Sequence, residues 1–152
     1  MGSMTESAVE EAALEWFEGL GCAIAHGPDI AADGSRPERS SYAEVVLDER
    51  LRTALTKINP AIPPDAIDEA IRSVLRHETP SLVENNQRFH RLLTEGVDVE
   101  YRRPDGSVKG DKVHLFDFDE PDNNDWLAVN QIPRDRPPRW PPPSGSRGAR
   151  GT

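Results

Sequence analysis

Apolar side chains recur every three to four positions in four stretches of the chain, and this spacing predicts four amphipathic helices. The clearest stretch is 65–76, where alanine, isoleucine, valine and leucine make one continuous apolar face. Ser7 begins a capping-box pattern, Ser81 is a suitable N-cap for the last helix, and Gly96 follows its final turn. The predicted helices cover about residues 7–19, 48–58, 65–76 and 81–95.

From residue 97 onward, apolar and polar positions alternate, which is the period of a half-buried β-strand. Valine and tyrosine alternate with charged residues over 97–102, and a Pro-Asp-Gly-Ser turn signal follows at 104–107. A second alternating run continues to Phe118, and a third strand is expected over 126–131 after a polar turn. The sequence therefore predicts an α+β protein in which N-terminal helices precede an antiparallel β-meander over about 97–131.

The segments between the predicted helices contain residues that interrupt regular structure. Small apolar residues over 22–26 predict a short strand, which a Gly-Pro-Asp sequence ends. Residues 27–41 are polar and contain glycine and proline, so we expect an exposed loop there. Prolines within 59–64 predict a rigid connector, because proline fixes φ and disfavours helix just before it.

Composition limits the size of the core and divides the chain in two. Of the 152 residues 36% are hydrophobic and 14 are prolines, which favours one modest domain, residues 5–131, and a disordered Pro/Arg/Gly-rich tail, residues 132–152. The total net charge is −9, and since five arginines and one aspartate give the tail +4, residues 1–131 carry −13. This acidic body argues against nonspecific binding along DNA, because its field repels phosphates.

The single cysteine, Cys22, and the hydropathy pattern indicate the cell compartment. One thiol cannot form an internal disulfide, and no His/Asn arrangement around it indicates a nucleophile. No apolar stretch is long enough to cross a membrane, and the acidic N-terminus does not resemble a signal peptide. We therefore expect a cytoplasmic protein that has no membrane contact.

Four stretches of the chain, taken in order, carry a resemblance to a known family. They are Val46-Leu47-Asp48-Glu49-Arg50-Leu51-Arg52-Thr53-Ala54-Leu55, then Ile58-Asn59-Pro60 with Pro63, then Asn85-Asn86-Gln87-Arg88-Phe89-His90-Arg91-Leu92-Leu93-Thr94-Glu95-Gly96-Val97, and finally Asp117–Gln131 with its Asn123-Asn124-Asp125 turn. Through them, about four-fifths of the chain, from Glu11 to Gln131, resembles the N-terminal part of the restriction (R) subunit of type I restriction-modification enzymes.

The resemblance implies an incomplete restriction-endonuclease-like domain that belongs to a large motor and nuclease. In that nuclease superfamily a Pro-Asp motif and a Glu-x-Lys motif lie on strands that follow the match to Asn130-Gln131, and their acids hold Mg²⁺, which activates water. After Gln131 the chain has neither motif, and the phosphate-binding pattern Gly-x-x-x-x-Gly-Lys-Ser/Thr occurs nowhere in it. We therefore expect a truncated fragment that is inactive alone and needs no cofactor itself, although Mg²⁺ and ATP are implied for the full-length family.

The same resemblance implies the partners and the reaction. DNA and the methylation and specificity subunits are the expected partners, and the full-length family couples DNA cleavage to ATP-driven translocation. The alternative is a non-catalytic subunit-interaction module, in which the helical region 48–95 docks onto another part of a restriction-modification complex. An acidic DNA mimic and a standalone Mg²⁺ nuclease are weaker alternatives.

The tail permits a second explanation. Codons made only of G and C encode proline, arginine, glycine and alanine, so residues 132–152 could be an out-of-frame translation of a GC-rich gene. The coding DNA tests this hypothesis, which fails if neither shifted frame continues with nuclease-like sequence.

Two sets of acids are candidates for site residues, although the sequence assigns no catalytic, metal or cofactor-binding residue outright. Glu11 is a candidate neighbour of the active site, because nucleases of this superfamily often place a helical glutamate beside the metal; the alternative is a solvated carboxylate. A cluster over 117–125 could bind a divalent ion through oxygen ligands, or its side chains could hydrogen-bond their own turn, which we favour. Its acids are Asp117, Asp119, Asp122 and Asp125.

The remaining candidates have structural interpretations. The four histidines have no zinc-like spacing, and the resemblance places His90 on a packed helix face beside Phe89. Asn85 and Asn86 are expected to bond to nearby backbone. Trp126 is expected to be a buried strand aromatic, and Trp140 could stack on nucleic acid.

Overall fold

The computed structural model describes residues 5–76 and 78–134. Its elements are, in chain order, α1 (Glu6–Gly19), β1 (Ala23–His26), α2 (Gly27–Ile30), α3 (Asp48–Ile58), α4 (Pro64–Leu75), α5 (Leu82–Glu95), β2 (Val97–Arg102), β3 (Val108–Val113), a 3₁₀ turn (Pro121–Asn123) and β4 (Leu127–Asn130). The α+β class is confirmed, and α1, α3, α4 and α5 begin and end within one residue of the predicted bounds. The predicted loop 27–41 contains the single turn α2.

Helix α4 and the hairpin β2–β3 enclose the main core together with one side of α3. Helix α4 buries residues at positions i, i+1, i+4 and i+5, which is the apolar face that its sequence predicts. The core cluster consists of Leu55, Ile62, Ala66, Ile67, Ala70, Ile71, Val97, Val99 and Val113. The side chain of Ile67 is 0% exposed, and complete burial of such a residue stabilises the fold by about 1.5–3 kcal/mol.

Local hydrogen bonds and one glycine set the ends of the helices. The Oγ1 of Thr5 accepts the N–H of Ala8 at 3.4 Å, so α1 begins before Ser7, and the predicted capping box at Ser7 is wrong. The predicted N-cap Ser81 is confirmed for α5, because its Oγ accepts the N–H of Glu84 at 3.4 Å. Gly96 ends α5 at φ +83°, and a Cβ there would lie 2.8 Å from the carbonyl oxygen of Val113.

The strands form two separate pairs in the described part of the chain. The hairpin β2–β3 is antiparallel, as predicted, with Val97 opposite Val113. Strand β4 does not extend this hairpin; it pairs in parallel with β1, so that His26 lies opposite Asn130. The prediction that 97–131 forms one meander is therefore wrong for its third strand, because alternation indicates a strand but not its partner.

The segment between β3 and β4 also differs from the prediction. Residues 114–126 consist of bends and the 3₁₀ turn, so the strand expected to reach Phe118 ends at Val113. Helix α1 contacts both β1 and β4, and this long-range packing brings β4 to its partner. Among the described residues, no helix has the length and apolar character needed to cross a membrane. The predicted disorder of the tail falls, from residue 135 on, outside the described residues.

Candidate functional site

The carboxyl ends of β1 and β4 lie side by side and carry polar residues. Ligand sites in parallel sheets form at this end of the strands. His26 is the last residue of β1, and Asn130 is the last residue of β4. The Nδ1 of His26 and the Oδ1 of Asn130 are 3.1 Å apart, so an imidazole and an amide are held together across the strand ends.

Gln131 extends this group toward helix α1. Its Nε2 donates a hydrogen bond to the Oε2 of Glu10 at 3.0 Å. The φ of Gln131 is +51°, an uncommon backbone conformation for a residue other than glycine, so the chain turns sharply where β4 ends. Gly27 permits this arrangement, because a Cβ at that position would lie 2.5 Å from the carbonyl oxygen of Gln131.

The predicted site residue, Glu11, lies next to this group on α1. Its side chain is exposed, whereas Glu10 is half-buried and bonded to Gln131. Both glutamates line one surface depression with Asn130. The role of Glu11 beside an active site stays a prediction, while the structure identifies Glu10 as the helical carboxylate in direct contact with the strand ends. The Asn-Gln pair at the end of a predicted strand was the available signal for this group.

The acid-rich segment 117–125 is organised around Asp117. Its Oδ1 accepts the backbone N–H groups of Asp119 at 3.1 Å and Glu120 at 2.9 Å, and its Oδ2 accepts the amide of Asn123 at 3.0 Å. The Asn123 bond and the backbone N–H groups lower the pKa of Asp117 below its ordinary value. The interpretation that these acids bond to their own turn is confirmed for Asp117.

Asp125 points away from that turn and binds Arg50 of α3. Arg50 Nη1 contacts both carboxylate oxygens of Asp125, at 2.7 and 2.8 Å, and the same guanidinium makes two bonds to Glu38, at 2.8 and 3.0 Å. These bonds raise the pKa of Arg50, and the Arg50 bond lowers the pKa of Glu38. Arg50 therefore joins three segments of the chain through charge-assisted hydrogen bonds.

The described carboxylates do not form a Mg²⁺ site. Asp117 binds its own turn, Asp125 binds Arg50, and Glu10 accepts from Gln131. Residues 5–76 and 78–134 contain no group of three or more His, Cys, Asp or Glu side chains that could hold a metal ion. The donor set present here therefore does not fit the metal that the resemblance implies for the full-length family.

Asparagines within the matching stretches act as backbone clamps. The buried amide of Asn59 donates to the carbonyls of Leu55 and His114, at 2.9 and 2.8 Å, and accepts the N–H of His114 at 2.8 Å. Asn124 similarly binds both the N–H and the C=O of Asp117, each at 2.8 Å. Such bonds satisfy backbone groups that no strand partner reaches. These residues hold the architecture rather than a ligand.

The other side chains considered for a role bond to nearby backbone, lie exposed at the surface, or fall outside the described residues. The Nδ2 of Asn85 donates to the carbonyl of Thr79 at 2.7 Å, which confirms its predicted backbone bond. His90 is exposed on α5, so its predicted packed position is wrong. Trp126 is 43% exposed instead of buried, because its Nε1 turns back to the carbonyl of Pro121 at 3.0 Å. His77 and Trp140 lie outside the described residues.

An apolar groove lies between one side of α3, with the residues just before it, and the segment 115–126. Its volume is about 470 Å³, and it is lined mainly by aliphatic and aromatic side chains. Phe116 forms the centre of the aromatic wall, with ring centroids 4.6 Å from Phe118 and 5.2 Å from Trp126. We call this feature the α3 groove. Its lining includes Val45, Leu51, Leu55, Leu115, Phe116 and Trp126.

The comparisons with known proteins agree on one family. Residues 3–139 match the family described as type I restriction enzyme R protein N terminus. The type I restriction enzyme HindI endonuclease subunit of Haemophilus influenzae is 35% identical over 129 residues, which are 85% of this chain and 12% of that protein. The putative type I restriction enzyme MjaIXP endonuclease subunit of Methanocaldococcus jannaschii is 28% identical over 124 residues, 82% of this chain and 12% of that protein. The chain thus spans about one-eighth of the length of these relatives. No solved structure matches the chain.

Proposed function

We propose, because this chain belongs to the type I restriction enzyme R protein N-terminal family, that it forms the first part of the nuclease region of an R subunit. The proposal includes the activity expected of the longer protein, which is DNA cleavage coupled to ATP-driven translocation. The proposed partners are DNA and the methylation and specificity subunits, and the proposed compartment is the cytoplasm. Mg²⁺ and ATP would act on parts of the longer protein beyond the residues described here.

The grouping of His26, Asn130, Gln131 and Glu10 at the ends of β1 and β4 is the observation that carries this proposal. It lies where parallel strands present residues to a ligand, and its members supply both hydrogen-bond donors and acceptors. We propose that Gln131 holds the carboxylate of Glu10 in place, and that Asn130 fixes the orientation of the His26 ring. Both contacts are formed by residues 5–131, so they do not require the strands that are expected to carry the metal in the full-length family.

We further propose that residues 1–152 do not cleave DNA alone. After Gln131 the sequence contains no Pro-Asp and no Glu-x-Lys, and removing groups that stabilise a transition state lowers rates by orders of magnitude. A plasmid-nicking assay with Mg²⁺ should show no activity above buffer, and Asp117→Ala should not change the result. Nicking that depends on Asp117 would instead support a standalone nuclease built on the acid-rich segment.

A chimera tests the role of the residues grouped at the ends of β1 and β4. Residues 1–131 would replace the aligned segment of the Haemophilus influenzae relative, and DNA cleavage would be measured in the assembled complex. We expect cleavage by the chimera and at least a tenfold loss with Glu10→Gln, because the amide cannot keep the negative charge beside Gln131. Glu6→Gln is the matched control, because Glu6 is exposed on the same helix and does not line the depression that contains Glu10. Equal rates for Glu10→Gln and Glu6→Gln, with equal unfolding midpoints, would contradict a role for Glu10.

Subunit interaction is the second candidate function, and the α3 groove favours it. The groove is open to solvent and combines exposed apolar side chains with fixed walls. A pull-down of the chain with the methylation and specificity subunits tests this candidate. The expected result is retention of the chain that a Val45→Ser variant in the groove reduces.

A further inference from the structure

The α3 groove exposes large apolar side chains that are not part of the core. Val45 is 94% exposed and Trp126 is 43% exposed, and both line the groove. Phe118, which is 60% exposed, lies behind the lining and contacts the ring of Phe116, with ring centroids 4.6 Å apart. Beneath them the floor is formed by residues of the packed interior, including Leu55, which is 1% exposed. An apolar patch that is continuous with a core and open to solvent is typical of an interaction site.

The walls of the groove are held in place before anything binds. Arg50 ties α3 to Asp125 on the opposite side through bonds of 2.7 and 2.8 Å. Asn124 fixes the backbone of Asp117, and the ring of Phe116 is packed between two other aromatic rings. Since these contacts already fix the side chains, a partner would lose little free energy in ordering them.

The sequence around the groove is strongly acidic. Residues 115–126 contain five acidic residues and no lysine or arginine, and residues 44–51 contain three acidic residues and one arginine. These two segments therefore carry a net charge of −7. Asp119, Glu120 and Asp122 are exposed beside the aromatic wall, so their charges face solvent. A field of this sign repels a phosphate backbone and attracts a cationic polypeptide.

We propose that the α3 groove binds a basic segment of another polypeptide chain, one that places large apolar side chains between lysines or arginines. The apolar side chains of the peptide enter the groove beside Phe116 and Val45. Its cationic side chains face the exposed acids Asp119, Glu120 and Asp122. This inference names the partner chemistry for the second candidate function and rests on it, but it does not depend on the cleavage proposal. Nucleic acid is excluded from the groove by the same charge that attracts the peptide.

Three peptides of 12 residues with the same spacing test the proposal on the full chain. One alternates lysine with leucine, the second alternates glutamate with leucine, and the third alternates lysine with serine. We expect the lysine–leucine peptide to bind at least ten times more tightly than either of the others in a calorimetric titration. Its binding should shift the amide NMR signals of residues 45–51 and 115–118 and should weaken as salt is added.

Matched neutral variants locate the binding surface. Val45→Ser and Trp126→Ser remove exposed apolar groups that line the groove, and each should lower the affinity for the lysine–leucine peptide at least fivefold. The urea unfolding midpoint of each variant checks that the fold is kept. Val108→Ser is the control, because Val108 is 61% exposed on the hairpin and does not line the groove. Equal losses at all three positions would overturn the proposal.

Other occupants give distinct results that also overturn the proposal. Equal binding of the glutamate–leucine peptide would show that charge does not select the partner. A DNA duplex that shifts the same amide signals would identify a nucleic-acid surface. A variant that ends at Arg134 and binds the peptide ten times more tightly would show that the chain's own C-terminal segment competes for the groove. Dimerisation that Val45→Ser abolishes would identify a second copy as the occupant.

Discussion

The two strand pairs of this protein differ in how much structure supports them. The hairpin β2–β3 lies against α4 and contributes three fully packed valines to the core. The parallel pair β1–β4 is covered by α1, yet none of the side chains of α1, all within the described part, is buried. All four residues of β4 are half-buried. The first region therefore has a well-packed core, whereas α1 and β4 in the second region are only partly covered.

The difference has a physical origin in the connections. A turn of five residues joins β2 to β3, while more than a hundred residues separate the paired His26 and Asn130. Closing a longer loop costs more conformational entropy, and parallel sheets are normally buried on both faces. We therefore expect the region that contains the candidate site to open locally while the hairpin region stays folded.

Ile67→Ala should have the largest effect, because Ile67 is completely buried between α4 and the hairpin. We expect it to lower the free energy of unfolding by about 2–5 kcal/mol. Leu14→Ala, which truncates a half-buried residue on α1, should lower it by less than about 1 kcal/mol in the same urea titration. A loss for Leu14→Ala equal to that for Ile67→Ala would mean that α1 belongs to the same cooperative core.

Asn59→Ala should have the next largest effect, about 1–3 kcal/mol, because it removes a buried side chain and leaves the part-buried N–H and C=O of His114 without their partner. Asn130→Ala is the matched change in the other region and should alter the free energy of unfolding by less than about 1 kcal/mol, because its bond to His26 is exposed. Chemical denaturation of both variants measures the contrast. Similar losses would remove the distinction between the two regions.

Gly27→Ala should act only on the second region. The added Cβ would lie 2.5 Å from the carbonyl oxygen of Gln131 and 2.6 Å from that of Asn130, so β1 and β4 must separate. We expect amide hydrogen exchange in β4 to accelerate at least tenfold, about 1.4 kcal/mol of local opening, with little change in β2 and β3. Gly110→Ala is the control, because a Cβ there meets open space. Faster exchange in both strand pairs would show that they unfold together.

The smallest expected effect is a pH dependence at Asp117. Because the folded-state pKa of Asp117 lies below its unfolded value, its bonds stabilise the fold above about pH 4, and this contribution disappears as pH falls through the folded-state pKa. Asp117→Asn removes that titration. Urea midpoints at pH 7, 5 and 3 should therefore show a smaller acid loss for the variant than for the parent chain, and identical pH profiles would contradict this interpretation of the turn.

Much of the fold follows from short-range signals that one sequence contains. The apolar face of α4, the Ser81 cap and the Pro-Asp-Gly-Ser turn act over a few residues, so the bounds of the helices and the hairpin β2–β3 could be predicted. The candidate site could be predicted less well from the sequence. Glu10 and Glu11 are adjacent on one helix, and the position of β4 decides which of them faces Gln131.

By itself the sequence determined the α+β class, the main helices, the hairpin and the family resemblance, because each depends on local spacing or on motif order. Tertiary structure alone decided that β4 pairs with β1, that Asp125 pairs with Arg50 instead of with its own turn, and that Trp126 stays partly exposed. The physical reason is that local periodicity selects the type of an element, whereas its partner is selected by packing between distant residues. The same packing brings Glu10 to the strand ends and opens the α3 groove.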